Sequence, residues 1–263
     1  MSKRKKQKIG PIDLREIELT KEDIVIPVMK EPKWNVNCKK LTDKQKDLLA
    51  LALDPSVHII FIDGPAGSTK TYMAVYSALR LLSENDDLDI TYVRTLAESG
   101  EKNMGSLPGD VSEKFGPYAK PLIDKLHEML KPEVRREIIE GKDPRIELEP
   151  INFLRGSNWR NKIAIADECQ NFTFSELFTM ITRLGENSKL FICGDSMQSD
   201  IKASGFKEMF SLFSDYYSEE QGMYYFEFNE DDIKRHPLQK FIIKRVTDYT
   251  KRGKKNPNYT PKL

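Results

Sequence analysis

Lys70 and Thr71 close the glycine-rich stretch GPAGSTKT, Gly64 to Thr71, with an ammonium and a hydroxyl at phosphate-binding spacing. Successive backbone N–H groups in such a turn form a positive cradle for phosphate oxygens. Gly64, Pro65, Ala66, Gly67, Ser68 and Thr69 would supply that cradle, with Gly67 the residue expected at positive φ. Lys70 would reach the outer phosphates, and Thr71 would place its hydroxyl on a magnesium ion. One residue departs from the usual G-x-x-x-x-G-K-[ST] pattern: Thr69 stands where glycine is expected. A β-branched residue there would crowd a bound phosphate, although a helical backbone at the start of a helix suits threonine.

Two further stretches offer matching chemistry. IAIADECQN presents Asp167 and Glu168, a carboxylate to hold magnesium, mostly through water, and a second to polarise an attacking water. LFICGDSMQSDI sets Gln198 three residues after Asp195, and an amide can both donate and accept around a γ-phosphate or a water. In DDIKRHPL, Arg235 could stabilise a transferring phosphoryl group or form a salt bridge with neighbouring acids. Each stretch alone also fits an ordinary surface turn. Together the glycine-rich loop, the Asp167–Glu168 pair and the Asp195–Gln198 turn read as three parts of one nucleotide-hydrolysing machine.

The elements around them fit that purpose. VHIIFID reads as a buried strand leading into the glycine-rich turn, and TYMAVYSALRLL as the helix that follows. LTDKQKDLLALAL is a helix with Thr42 as its cap, upstream of both. DITYVR, IELEP, KIAIAD, KLFICGD and MYYFEF read as strands; KPLIDKLHEML, EVRREIIE, FSELFTMITRLG and HPLQKFIIKRVTDY read as helices. EDIVIPVMK is the strand-like piece of an otherwise polar beginning. Strands alternating with helices imply an α/β fold with a mostly parallel sheet sandwiched by helices, as one core domain. Acids at strand ends then sit where open α/β sheets open their ligand crevice.

The chain has 263 residues and a net charge of +1, so global charge selects no partner. Basic residues crowd both ends, Lys3 to Lys8 and Lys251 to Lys255, either as solvated tails or as phosphate-neutralising arms. No apolar run reaches the ~18 residues of a membrane span, and the basic start lacks the apolar stretch of a secretory signal. Cys38, Cys169 and Cys193 lack metal-ligand spacing and read as reduced, core or near-core thiols of a cytoplasmic protein.

Across residues 40 to 246 the chain resembles PhoH-like proteins, predicted ATPases related to superfamily 1 helicase cores. The resemblance rests on GPAGSTKT, VRTLAESGEKNMGSLPGD, PYAKPLIDKL, INFLRG, DECQNFTFSELFTMITRLGENSKLFICGDSMQSDI and DIKRHPL. It implies a RecA-like P-loop core at 41–246, between a polar extension at 1–40 and a basic tail at 247–263. It also makes the segment from Arg94 to Asp110 a candidate nucleotide- or nucleic-acid-facing loop, and Gln45 a reader of adenine. The implied activity is Mg2+-dependent ATP hydrolysis on or with nucleic acid, RNA first and single-stranded DNA second. A nucleotide-gated binding protein with little hydrolysis is the alternative, and Thr69 keeps it open. A single core implies an arginine supplied by a neighbouring subunit, Arg183 or Arg235, and hence a homo-oligomer such as a hexameric ring. The short form is similar to those of bacteriophages and bacteria, which would make a host cytoplasm its setting if phage-encoded.

Overall fold

A computed structural model describes residues 32–95, 111–151, 154, 158–199, 201, 203–234 and 236–251. Six strands form one sheet: β1 Ile59–Asp63, β2 Asp89–Arg94, β3 Ile146–Pro150, β4 Lys162–Asp167, β5 Lys189–Gly194 and β6 Met223–Glu227. Their order is β3-β2-β4-β5-β1-β6, and every pairing is parallel. Eight helices belong to the described chain: α1 Asp43–Leu53, α2 Lys70–Glu84, α3 Val111–Met129, α4 Pro132–Glu140, α5 Phe174–Ile181, α6 Phe206–Leu212, α7 Tyr216–Glu220 and α8 Pro237–Lys251.

The sheet is parallel because its central strands have nothing polar to turn toward water. All five residues of β1 are buried, as are the last five of β4 and of β5. Side chains alternate between two cores. Ile60 and Ile62 pack with Leu48 of α1, Met73 and Leu79 of α2, and Leu122 of α3. Ile59 and Phe61 pack on the opposite face with Leu177 and Met180 of α5 and Phe206 of α6.

Register fixes where the chemistry goes. Asp63 pairs with Gly194, and Ala166 with Ile192, so the carboxyl ends of β1, β5 and β4 finish level. β5 lies between the other two, which sets β1 and β4 two strand spacings apart, about 10 Å. That gap is the crevice into which the following loops open, where open α/β sheets bind ligands.

Residues 32–40 pack on the core: Val36 is buried, Lys33 N donates to Ser83 O, and Asn37 N donates to Met129 O. α8 continues to Lys251. Other expectations are corrected. The helix after β4 stops at Ile181 instead of reaching Gly185, because Leu184 turns back to bridge Trp159. α6 and α7 are additions that no long apolar period announces. Cys169 and Cys193 are buried as expected, but Cys38 is exposed. EDIVIPVMK and residues 96–110 lie outside the described residues.

Candidate functional site

The phosphate loop begins where β1 ends. Gly64 has φ 152°, and a Cβ there would fall 2.8 Å from the Phe228 Cβ, so only glycine fits. Gly67 takes φ 86°, the positive value expected of it. Ser68 N donates to Pro65 O at 3.1 Å, tightening the turn, and Met73 N makes the first helical link by donating to Thr69 O at 2.9 Å. The Lys70 ammonium folds over the loop, donating to Gly64 O at 2.5 Å and Pro65 O at 3.1 Å.

Thr69 corrects one expectation. It is not helical but left-handed, at φ 73° and ψ 17°. The glycine of the usual pattern is therefore a conformational requirement, and threonine meets it at about 1–2 kcal/mol of backbone strain. Glu168 is likewise left-handed, at φ 56°. Among the described residues the other non-glycine residues with positive φ are Asn161 and Asn187, the residue type that tolerates this region best. The two strained residues that are not asparagine both line one cavity of about 550 Å3.

That cavity gathers the separate stretches. Gln45, Ala66, Gly67, Thr69, Lys70, Thr71, Asp167, Glu168 and Gln198 all line it. The Thr71 hydroxyl donates to Asp167 Oδ1 at 2.8 Å, closing the gap between the β1 loop and the β4 end. Tyr92 of β2, fully buried, donates its hydroxyl to Asp167 Oδ2 at 2.6 Å. Burial, with the Asp167 charge beside it, raises the Tyr92 pKa and keeps the phenol protonated as a donor. Glu168 is steered by Gln170, whose Nε2 donates to Glu168 Oε2 at 2.6 Å while its Oε1 accepts from Asp195 N at 3.1 Å. Arg94 Nη2 lies 3.9 Å from Glu168 Oε1.

On the third loop, Gln198 N donates to Asp195 O at 3.1 Å. Asp195 Oδ1 accepts from Met197 N, while Oδ2 is buried with no hydrogen-bond partner among the described residues. Burial pushes the Asp195 carboxyl above its ordinary pKa, with Lys70 opposing. Asp63 joins two loops: its Oδ1 accepts from Gly64 N at 2.7 Å and from Ser196 N at 2.9 Å. Lys234 also lines the cavity, and its N–H donates to Gly67 O at 3.1 Å.

Oxygen donors of this kind, a hydroxyl beside a carboxylate and a further unpartnered buried carboxylate oxygen, suit a hard cation such as magnesium. No group of three acidic, histidine or cysteine residues that could hold a metal occurs among the described residues. A cation there would thus lean on phosphate oxygens and water for its remaining ligands.

Gln45, Arg183 and Arg235 complete the expected set. Gln45 is buried, with Oε1 accepting from Thr42 N at 2.9 Å and Nε2 donating to Thr69 Oγ1 at 2.8 Å. An adenine-reading role would fall to the amide's second N–H and second lone pair. Arg183 accepts the Trp159 N–H at its carbonyl, near the amino end of β4, opposite the cavity. Arg235 lies outside the described residues. Tyr92, Asp63, Gln170 and Lys234 carry no sequence signal of their function beyond polar groups next to the expected motifs. Among the described residues no helix is long and apolar enough to cross a membrane.

Comparison with known proteins agrees with this geometry. The family model described as PhoH-like protein matches residues 37–247. A PhoH-like protein of Synechocystis sp. is 34% identical over 208 residues, 78% of this chain and 60% of the relative. One from Bacillus subtilis is 36% identical over 185 residues, 70% and 57%. Protein PhoH of Escherichia coli is 34% identical over 146 residues, 56% and 41%. The chain therefore spans between about two fifths and three fifths of these relatives' lengths. Among solved structures, the Pif1 helicase of Candida albicans aligns with a TM-score of 0.35 and 15% identity, over 73% of this chain and 41% of that one. With its family model covering most of the sequence and its loop, acid pair and Asp195–Gln198 turn converging on one crevice, the chain belongs to the PhoH-like protein family.

Proposed function

We propose that this protein binds ATP and hydrolyses it with magnesium while acting on or with nucleic acid, RNA first. The observation that carries the reading is that Lys70, Thr71, Asp167, Glu168 and Gln198, from three separate strand ends, line one cavity. Backbone groups of residues 64 to 70 would cradle the phosphates, and Lys70 would exchange its carbonyl partners for phosphate oxygens. Thr71 and Asp167 are the residues that would hold magnesium, which supplies charge neutralisation across the β- and γ-phosphates. Glu168 takes a proton from the attacking water as the oxygen bonds to the γ-phosphorus. The bond to the bridging oxygen breaks, leaving ADP and inorganic phosphate. Gln198 senses whether the γ-phosphate is present.

The arginine that stabilises the transferring group comes from a second copy of the chain, from Arg183 or Arg235, in a homo-oligomer such as a hexameric ring. Arg183 lies at the far end of the strands from its own cavity, so it can serve only a neighbour's. Unpaired cysteines fit a reducing, cytoplasmic setting.

Colorimetric phosphate release tests the assignment. Lys70→Ala and Glu168→Gln each lower turnover by at least about a hundredfold, since positioning and charge stabilisation supply most of the acceleration. Unchanged turnover in Glu168→Gln sinks the role given to that carboxylate. Adding RNA or single-stranded DNA to the wild type tests the coupling, with stimulation by RNA the larger.

A second reading has its own observation. Strain at Thr69, together with the Gln170 and Arg94 contacts that occupy Glu168, favours a nucleotide-gated nucleic-acid binder that scarcely hydrolyses. Tight ATP binding without phosphate release, with salt-sensitive RNA affinity, would select it.

A further inference from the structure

Thr69 occupies a backbone region that only glycine enters without strain, and one side chain outside the loop touches it. Gln45, in the first turn of α1, donates from Nε2 to Thr69 Oγ1 at 2.8 Å. The orientation of that amide is fixed from its other end. Oε1 accepts from the Thr42 backbone N–H at 2.9 Å, and an N–H can only donate. The nitrogen must then face Thr69, and the Thr69 oxygen must act as acceptor. Its own proton is thereby directed away from Gln45, in a residue that lines the cavity. Gln45 is itself only 6% exposed, and Thr42 Oγ1 accepts from Gln45 N to complete a capping box, so α1 holds the side chain in place.

We infer that Gln45 is a positioning residue for the phosphate loop: it clamps Thr69 in the left-handed conformation through the Thr69 hydroxyl, and the pair does together what glycine does alone. This rests on the cavity being a nucleotide site. It also assigns Gln45 a role without base preference, because its bond to Thr69 acts on the phosphate loop and not on the nucleoside. Gln45 then matters equally to ATP and GTP, and it matters because residue 69 is threonine.

A double-mutant cycle tests this. Equilibrium affinities of the full chain for Mg-ATP and Mg-GTP are measured by calorimetry in wild type, Gln45→Ala, Thr69→Gly and the double variant. Gln45→Ala weakens both nucleotides by about fivefold to thirtyfold in the threonine background, the span of a strained left-handed residue losing its support. In the Thr69→Gly background the same change moves affinity by less than about twofold. Thr69→Val, which leaves the α1 cap intact, weakens both nucleotides as Gln45→Ala does. The ratio of ATP to GTP affinity stays within about twofold throughout.

Loss of ATP alone on Gln45→Ala, with GTP untouched, overturns the inference and makes Gln45 a base reader. Equal losses in the threonine and glycine backgrounds overturn it as well. The clamp is scored separately by nucleotide-free melting. Gln45→Ala lowers the midpoint more beside Thr69 than beside Gly at that position, and equal drops refute it. If neither nucleotide binds the wild type while the melting cycle shows the coupling, the nucleotide reading fails and the clamp stands.

Discussion

At the scale of single residues, the site is built from groups held in states the rest of the fold does not favour. Thr69 and Glu168 sit in the left-handed region, and Asp195 keeps an unpartnered oxygen in a buried place. Such strain persists only where surrounding structure over-determines it, which here means the loop ends around the crevice. Asp195 allows a test in sign as well as size. Burial raises its folded pKa, so the folded state holds a proton more tightly than the unfolded chain. Stability therefore falls as pH rises from the unfolded value through the folded one, and the ionised carboxylate is a net burden at neutral pH. Asp195→Asn is expected to melt higher than wild type at pH 7, with the advantage shrinking as pH falls through the raised folded pKa toward the unfolded one. Equal melting temperatures across that range would show that the burial penalty is offset. The same variant should lose nucleotide-induced stabilisation, because an uncharged amide cannot answer Lys70 or a cation.

At the scale of elements, strand tips carry the function, and small residues let helices come close to them. Gly194 ends β5, immediately before Asp195, and a Cβ there would fall 2.6–2.8 Å from ring atoms of the buried Phe206. Because Phe206 belongs to the core between α5, α6 and the sheet, the ring has no room to yield. Gly194→Ala is expected to lower stability by roughly 1–3 kcal/mol, as overpacking does, and to weaken nucleotide binding by displacing the Asp195 loop. Chemical denaturation checks the first part, and an unshifted midpoint would contradict it.

The central strands β1, β4 and β5 were legible because continuous apolar runs of strand length, each ending in glycine or acid, have few other readings. α1 was legible through Thr42 and its helical period. The convergence of Lys70, Asp167 and Gln198 followed from placing each motif after a strand. What could not be read is conformational or lies inside the core. A threonine does not announce a left-handed backbone, so Thr69 was expected to be helical. Tyr92 looks like any apolar residue of DITYVR until the register brings its hydroxyl to Asp167. α6 and α7 are too short for a period to show.

At the scale of the whole molecule, assembly is the open structural variable. α8 carries Leu238, Phe241 and Ile242 at 60%, 58% and 49% exposure, an apolar row on a 15-residue helix. Helices of that length are marginal in water unless an apolar face is covered. A subunit that supplies an arginine to its neighbour must also touch it, and sedimentation addresses both. With ATP and magnesium the protein is expected to sediment well above its 30.4 kDa chain mass. Full turnover by a monomer would remove the trans arginine. Within the chain, Asp63 has a consequence of its own. One oxygen holds the amide at the root of the phosphate loop and an amide of the loop bearing Gln198. A shift in either loop tilts the carboxylate and tugs the other, so under the proposed function loss of the terminal phosphate would have a two-bond mechanical linkage to the grip on the rest of the nucleotide.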